Sequence, residues 1–87
     1  MNYNHIYPIV KLHIDKMDYY GLLADGAPHD EFDIETDMVA RAIRADMSAD
    51  EIAGIIAKIF NEQFSTSRPL SEFIPTAEAI KNEMESR

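Results

Sequence analysis

Apolar residues recur every three or four positions in four stretches of the chain, which is the spacing of helices with one buried face. No stretch alternates between apolar and polar residues in the manner of a strand bounded by turns. The four predicted helices run from about Asn4 or His5 to Met17, from about Glu31 to Ala45, from Ala49 to about Phe64, and from about Ser71 or Ile74 to Glu85. The sequence therefore predicts an all-α domain spanning residues 1–87. We expect a single small bundle of four helices with a long acidic loop between helices 1 and 2.

Residues near the helix starts set where these helices begin. Ser48 and Glu51 have the spacing of a capping box, in which each side chain accepts a hydrogen bond from the other residue's backbone N–H. Asp30 or Asp33 is the predicted cap of helix 2. Pro8 is compatible with helix 1 if it lies near the opening turn, where a missing backbone N–H costs little.

The apolar positions of each helix predict the face that it buries. Helix 3 has the widest apolar arc, and we expect it to be central; its apolar residues are Ile52, Ala53, Ile55, Ile56, Ile59, Phe60 and Phe64. Helix 4 has a narrow seam made of Phe73, Ala77, Ile80 and Met84. The predicted core-facing residues of helix 2 are Ile34, Met38, Val39 and Ala42.

Two polar residues fall on these apolar faces. His13 lies in the middle of the apolar arc of helix 1, and Glu35 lies within the arc predicted for helix 2. Polar side chains that are buried in this way need hydrogen-bond partners. We therefore expect His13 and Glu35 to form a polar pair in or near the core. A neutral core histidine with a different hydrogen-bond partner is the alternative.

The charge of the chain is negative and unevenly placed. The chain has sixteen acidic and eight basic residues, for a net charge of −8. No Lys or Arg stands between Lys16 and Arg41. The acids in that interval are Asp18, Asp25, Asp30, Glu31, Asp33, Glu35 and Asp37. Such a segment excludes direct binding of nucleic acid, which needs a basic surface. It suits a protein partner with a basic surface, a hard metal ion, or the positive end of a helix dipole. The candidate binding residues are Asp30, Glu31, Asp33 and Glu35.

Known catalytic and metal-binding patterns are absent from the sequence. The acidic segment lacks the oxygen, glycine and glutamate spacing of an EF-hand, and the histidines at positions 5, 13 and 29 do not have the spacing of a zinc peptidase. Three glycines provide no phosphate-binding loop and no nucleophile elbow. We therefore expect no cofactor, no resident metal and no catalytic residue. A metal site that uses the same acids with His29 remains an alternative.

The compartment is predicted from what the sequence lacks. There is no cysteine, so disulfides and thiolate metal sites are excluded. The first residues lack the basic cluster of a secretory signal, and no apolar run approaches the roughly 20 residues that a membrane-spanning helix needs. We expect a cytoplasmic protein that does not enter a membrane.

The middle of the chain resembles the YugE-like family of small uncharacterised helical proteins, found in bacilli and their relatives. The resemblance rests on the runs Met17-Asp18-Tyr19-Tyr20-Gly21-Leu22-Leu23, Gly26-Ala27-Pro28-His29-Asp30-Glu31-Phe32-Asp33-Ile34-Glu35, Glu51-Ile52-Ala53 and Ile59-Phe60. It implies a short all-helical fold and carries no assigned activity or cofactor. It also implies that the acidic stretch from Asp30 to Glu35 is a fixed element, either a shaped helix entry or a binding edge.

These observations predict a non-enzymatic protein-interaction module that uses the acidic loop and the start of helix 2. One alternative is a metal-binding domain or metal-dependent hydrolase that uses the same acids. A second alternative is an immunity-type protein that neutralises a basic partner. The second rests on analogy in size, charge and helix content.

Overall fold

The computed structural model describes residues 2–21, 24–26 and 31–86, and this part of the chain is helical without strands. Its helices are α1 (Tyr3–Met17), α2 (Asp33–Ala42), α3 (Ala49–Phe64) and α4 (Ile74–Glu85). Short 3₁₀ turns at Tyr19–Gly21 and Leu70–Glu72 follow α1 and precede α4. The prediction of an all-α bundle of four helices is confirmed. None of the helices within the described ranges combines the length and the apolar character needed to cross a membrane.

The predicted bounds of α3 are confirmed at both ends. At the start, Ser48 Oγ accepts a hydrogen bond from the Glu51 N–H, and Glu51 Oε1 accepts one from the Ser48 N–H, each at 3.1 Å. These two bonds form the predicted capping box. At the other end, Ser65 has a left-handed backbone with φ of 54°, which stops the helix.

Pro8 is the sixth residue of α1 and therefore lies beyond the opening turn. The expectation that it sits near the first turn is corrected. The helix starts earlier than expected because the Asn2 side chain caps it by accepting a hydrogen bond from the His5 N–H.

α2 is shorter than predicted. It begins at Asp33, its cap position is Phe32, and no side chain caps it, while Asp30 lies outside the described residues. Asp33 is therefore a first-turn residue, not the cap. At the other end, Ile43 has an extended backbone and a side chain that is only 3% exposed, so packing of Ile43 in the core ends the helix before Ala45.

The four helices pack in a ring, in which α1 contacts α2 and α4, and α3 contacts the same two helices. α3 contributes the largest set of buried side chains: Ile52, Ala53, Ile56, Ala57, Ile59 and Phe60. It contacts two neighbouring helices, as α1 does, so its place in the bundle is no more central than that of α1. The predicted seam of α4 is also buried: Phe73, Ala77, Ile80 and Met84. Aromatic rings fill one end of the core, where Phe32 and Tyr19 lie 6.0 Å and 5.1 Å from the ring of Phe60.

The buried face of α2 differs from the prediction. The buried residues of α2 are Glu35, Thr36, Val39 and Ala40, and Ile43 just after the helix is buried as well. Ile34, Met38 and Ala42 are exposed, and we call these three residues the outer face of α2. Of the predicted core-facing residues, only Val39 is buried.

Candidate functional site

The candidate acids do not converge on one point. Glu31 is exposed just before α2, Asp33 is half-buried in its first turn, and Glu35 is buried. Asp33 Oδ1 accepts a hydrogen bond from Lys11 Nζ at 2.8 Å, so its charge is partly neutralised by α1. The fourth candidate, Asp30, lies outside the described residues.

A metal site was the alternative use of these acids. Within residues 2–21, 24–26 and 31–86, no three His, Asp or Glu side chains are grouped in a way that could hold a metal ion. His29 and Asp30, which the metal interpretation includes, lie outside these ranges.

Glu35 is the most unusual acid of the segment because its side chain is turned into the protein. The residue is only 7% exposed. Burial raises the pKa of the Glu35 carboxyl above its ordinary value, and the charge of Glu31 raises it further, while the backbone N–H of Glu35 opposes the shift. Glu35 is therefore a buried acid, and its carboxyl is not exposed to a binding partner.

Asp37 anchors the edge of α2 that faces α1. The hydroxyl of Tyr3 donates a hydrogen bond to Asp37 Oδ1, and Arg41 Nε donates to Asp37 Oδ2 at 3.0 Å. These donors, Tyr3 first, lower the pKa of the Asp37 carboxyl. The Arg41 guanidinium also lies 5.0 Å from the centre of the Tyr3 ring. Together with the bond from Lys11 to Asp33, these contacts fix the rotation of α2 against α1.

The predicted pairing of His13 with Glu35 is wrong, because His13 contacts a different carboxylate. His13 Nε2 lies 2.8 Å from Glu83 Oε1 of α4, and both side chains are mostly buried. The reason is that α1 packs between α2 and α4, and His13 lies on the side of α1 that faces α4. The general expectation that His13 has a hydrogen-bond partner is satisfied by this different carboxylate.

The outer face of α2 is the feature that periodicity missed. Ile34 is 70% exposed and Met38 is 36% exposed, and they stand one helical turn apart. Glu31 lies just before this face, and Arg41 lies beside its other end with a side chain that is 69% exposed. The segment singled out by its charge therefore carries an exposed apolar pair. A signal was present in the sequence at Ile34, which stands between two acids, Asp33 and Glu35.

Comparisons of the chain with models of protein families, with curated proteins and with solved structures find no match. The resemblance to the YugE-like family therefore stays a prediction made from the residues that carry it.

Proposed function

We propose that this chain is a non-enzymatic protein-interaction module that binds its partner through the outer face of α2 and the acids that precede it. The single observation that carries the proposal is the 70% exposure of Ile34 at the start of an acidic helix. Protein interfaces commonly combine an apolar centre with a charged rim. Here Ile34 and Met38 are the centre, and Glu31 and Asp33, with Asp30 from the sequence, are the rim.

The partner in this proposal is a protein with an apolar pocket and a basic rim. Burying the exposed part of an isoleucine side chain is worth about 1 to 2 kcal/mol, which corresponds to roughly tenfold in affinity. The acids contribute mainly to the association rate and to the choice of partner. A second copy of the chain is a poor occupant, because two such faces would bring like charges together.

The other features of the proposal follow from the sequence. A chain with net charge −8 and no cysteine fits a reducing compartment such as the cytoplasm. Neutralisation of a basic protein in the immunity-type manner is one form that this function can take. We include membership of the YugE-like family in the proposal, since the resemblance covers the same acidic segment.

A site-specific cross-linking experiment tests the proposal. The photoreactive residue benzoylphenylalanine is placed at Ile34 in one variant and at Gly54 in a control, and both are irradiated in the cells that produce the protein. Gly54 is a matched control because it lies exposed on α3 and has open space where a side chain would start. We expect a discrete cross-linked partner from position 34 and none from position 54.

Three variants then define the chemistry of the contact. In a further variant, benzoylphenylalanine is placed at Met38. Ile34→Asp should abolish the cross-link that this variant forms, because a charge cannot be buried in an apolar pocket without a large cost. Glu31→Gln should weaken capture of the identified partner at low salt and have little effect at high salt. Glu62→Gln changes the net charge equally at an exposed position on α3 and should have no effect. Equal cross-linking from positions 34 and 54, or a partner that Ile34→Asp retains, would contradict the proposal.

A further inference from the structure

Met38, on the outer face of α2, is the most exposed methionine among the residues that the structure describes. It is 36% exposed, whereas Met84 of α4 is 5% exposed and belongs to the core. Met17 and Met47 have intermediate exposure and pack against the core. Because the chain has no cysteine, the thioethers of methionine are its only sulfur groups. Of the described sulfur atoms, that of Met38 is therefore the one that a diffusing oxidant reaches first.

The core of the bundle does not depend on the Met38 side chain. α2 packs through another side, on which Val39 is fully buried. The hydrogen bond from Lys11 Nζ to Asp33 Oδ1, at 2.8 Å, also joins α2 to α1. A polar oxygen added to Met38 therefore changes the surface and leaves the packing of α2 in place. The same oxygen added to Met84 would lie in the core, where it would disrupt the packing of α4.

Oxidation of a methionine is a two-electron step for which hydrogen peroxide is a sufficient oxidant. The sulfur lone pair attacks one peroxide oxygen, and the O–O bond breaks. The displaced hydroxide takes up the proton of the transferred oxygen, so that the products are methionine sulfoxide and water. Methionine sulfoxide reductases reverse the step: the oxygen leaves as water, and two thiols are oxidised to a disulfide. The chemistry therefore converts an apolar side chain into a polar one and back.

We propose that Met38 is a reversible oxidation site that regulates binding at the outer face of α2. The inference rests on the proposed function, because Ile34 and Met38 form the apolar centre of that interface. The two residues lie one helical turn apart, so a partner that covers Ile34 also covers Met38. A sulfoxide oxygen at Met38 would then lose its water without gaining a partner in an apolar pocket. Oxidation therefore opposes binding, and a bound partner shields Met38 from peroxide.

Titration of the purified protein with hydrogen peroxide tests the oxidation site without any partner. Peptide mass spectrometry should show that Met38 is oxidised before Met17 and Met47, and several-fold faster than Met84. Protein oxidised at Met38 alone should keep its helical circular dichroism and melt close to the reduced protein. Methionine sulfoxide reductase with dithiothreitol should restore the original mass. The site is overturned if Met17 or Met47 reacts as fast as Met38, if oxidation of Met38 unfolds the bundle, or if the reductase leaves the sulfoxide in place.

The partner identified by cross-linking from position 34 tests the regulation. Oxidation of Met38 should weaken capture of that partner about tenfold, the loss expected when one polar group is covered by an apolar pocket. Met38→Leu keeps an apolar side chain of similar size and should capture the partner equally before and after peroxide treatment. Met47→Leu is the matched control, and peroxide should weaken its binding as it does in the unchanged protein.

The outcomes separate this inference from the proposed function. If position 34 gives no cross-linked partner in the reduced protein, the proposed function fails and the regulation of binding falls with it. The peptide masses then still decide whether Met38 is the oxidation site. If the reduced protein captures its partner and the oxidised protein captures it equally well, or if peroxide weakens binding by Met38→Leu and Met47→Leu alike, regulation through Met38 is overturned and the proposed function stands.

Discussion

His13 and Glu83 stand 70 positions apart in the chain, and their side chains meet at 2.8 Å between Nε2 and Oε1. The contact joins the first helix to the last. Both side chains are mostly buried, with 14% and 22% exposed, so this pair is screened less by solvent than the ion pairs on the surface. It is a polar contact within the packing of α1 against α4.

We expect the pair of His13 and Glu83 to couple in a double-mutant cycle. His13→Ala, Glu83→Ala and the double variant should give a coupling free energy of about 1 kcal/mol, the usual worth of one hydrogen bond. The measurement is chemical denaturation of all four proteins. The control cycle uses Arg44 and Asp46, which are 72% and 76% exposed and should couple weakly. Equal coupling in the two cycles would mean that burial does not strengthen the contact between His13 and Glu83.

Glu35 should make the stability of the protein depend on pH. Burial raises the pKa of its carboxyl above the ordinary value of 4.5, so the folded state keeps the proton to higher pH than the unfolded state does. The free energy of unfolding therefore falls as pH rises from 4.5 through the raised pKa of Glu35. Above that pKa the buried carboxylate is ionised, and its full desolvation cost lowers stability. Glu35→Gln removes the penalty and should raise Tm at neutral pH.

The pH series carries the control for this prediction. The difference in Tm between Glu35→Gln and the unchanged protein should shrink as pH falls toward 4.5, because both then hold an uncharged side chain. Glu78→Gln, at an exposed position on α4, should show no such trend. A glutamine variant at position 35 that melts lower at neutral pH would show that the ionised carboxylate is stabilised by a contact we have not assigned.

The bounds of α3 could be predicted from the sequence because their signals are local. The capping box at Ser48 and the polar break after Phe64 depend only on residues close in the chain. The buried face of α2 could not be predicted in the same way. Ile34 and Met38 lie on one side, Val39 and Ile43 lie on another, and periodicity alone does not choose between them. Contacts with α1 make that choice, since they hold the acidic edge of the helix.

The candidate site, too, has features that could be predicted from the sequence and features that could not. Charge distribution alone located the segment around Glu31 and Asp33. The exposure of Ile34 and the partner of His13 depend on which helices are neighbours, and that information is tertiary. These features could therefore be found only once the packing of the bundle was known.

Ser48 offers a direct measure of how much a local signal contributes. Ser48→Ala removes the acceptor for the Glu51 N–H and should lower stability by about 1 kcal/mol. In a chain of this length, this lowers Tm by roughly 4 to 8 °C. Thermal melting followed by circular dichroism is the measurement. Ser67→Ala, at an exposed position in the loop after α3, is the control and should melt like the unchanged protein.

Thr36 and Thr66 should respond to the same substitution with opposite signs. Thr36 is fully buried on α2, and within the described residues its hydroxyl has no hydrogen-bond partner. An unpaired buried hydroxyl carries a desolvation cost of about 1 to 3 kcal/mol. Thr36→Val keeps the shape of the side chain and removes that cost, so we expect it to stabilise the protein by about 1 kcal/mol.

The hydroxyl of Thr66, in contrast, is engaged twice. It donates to Asn61 Oδ1 at 2.8 Å and lies 2.7 Å from the Tyr19 hydroxyl. Thr66→Val removes both hydrogen bonds and should destabilise the protein by about 1 to 2 kcal/mol. Chemical denaturation of the two variants side by side measures the difference. If both valine variants shift stability in the same direction, hydrogen bonding of these hydroxyls does not govern the effect, and the volume or helix propensity of valine does.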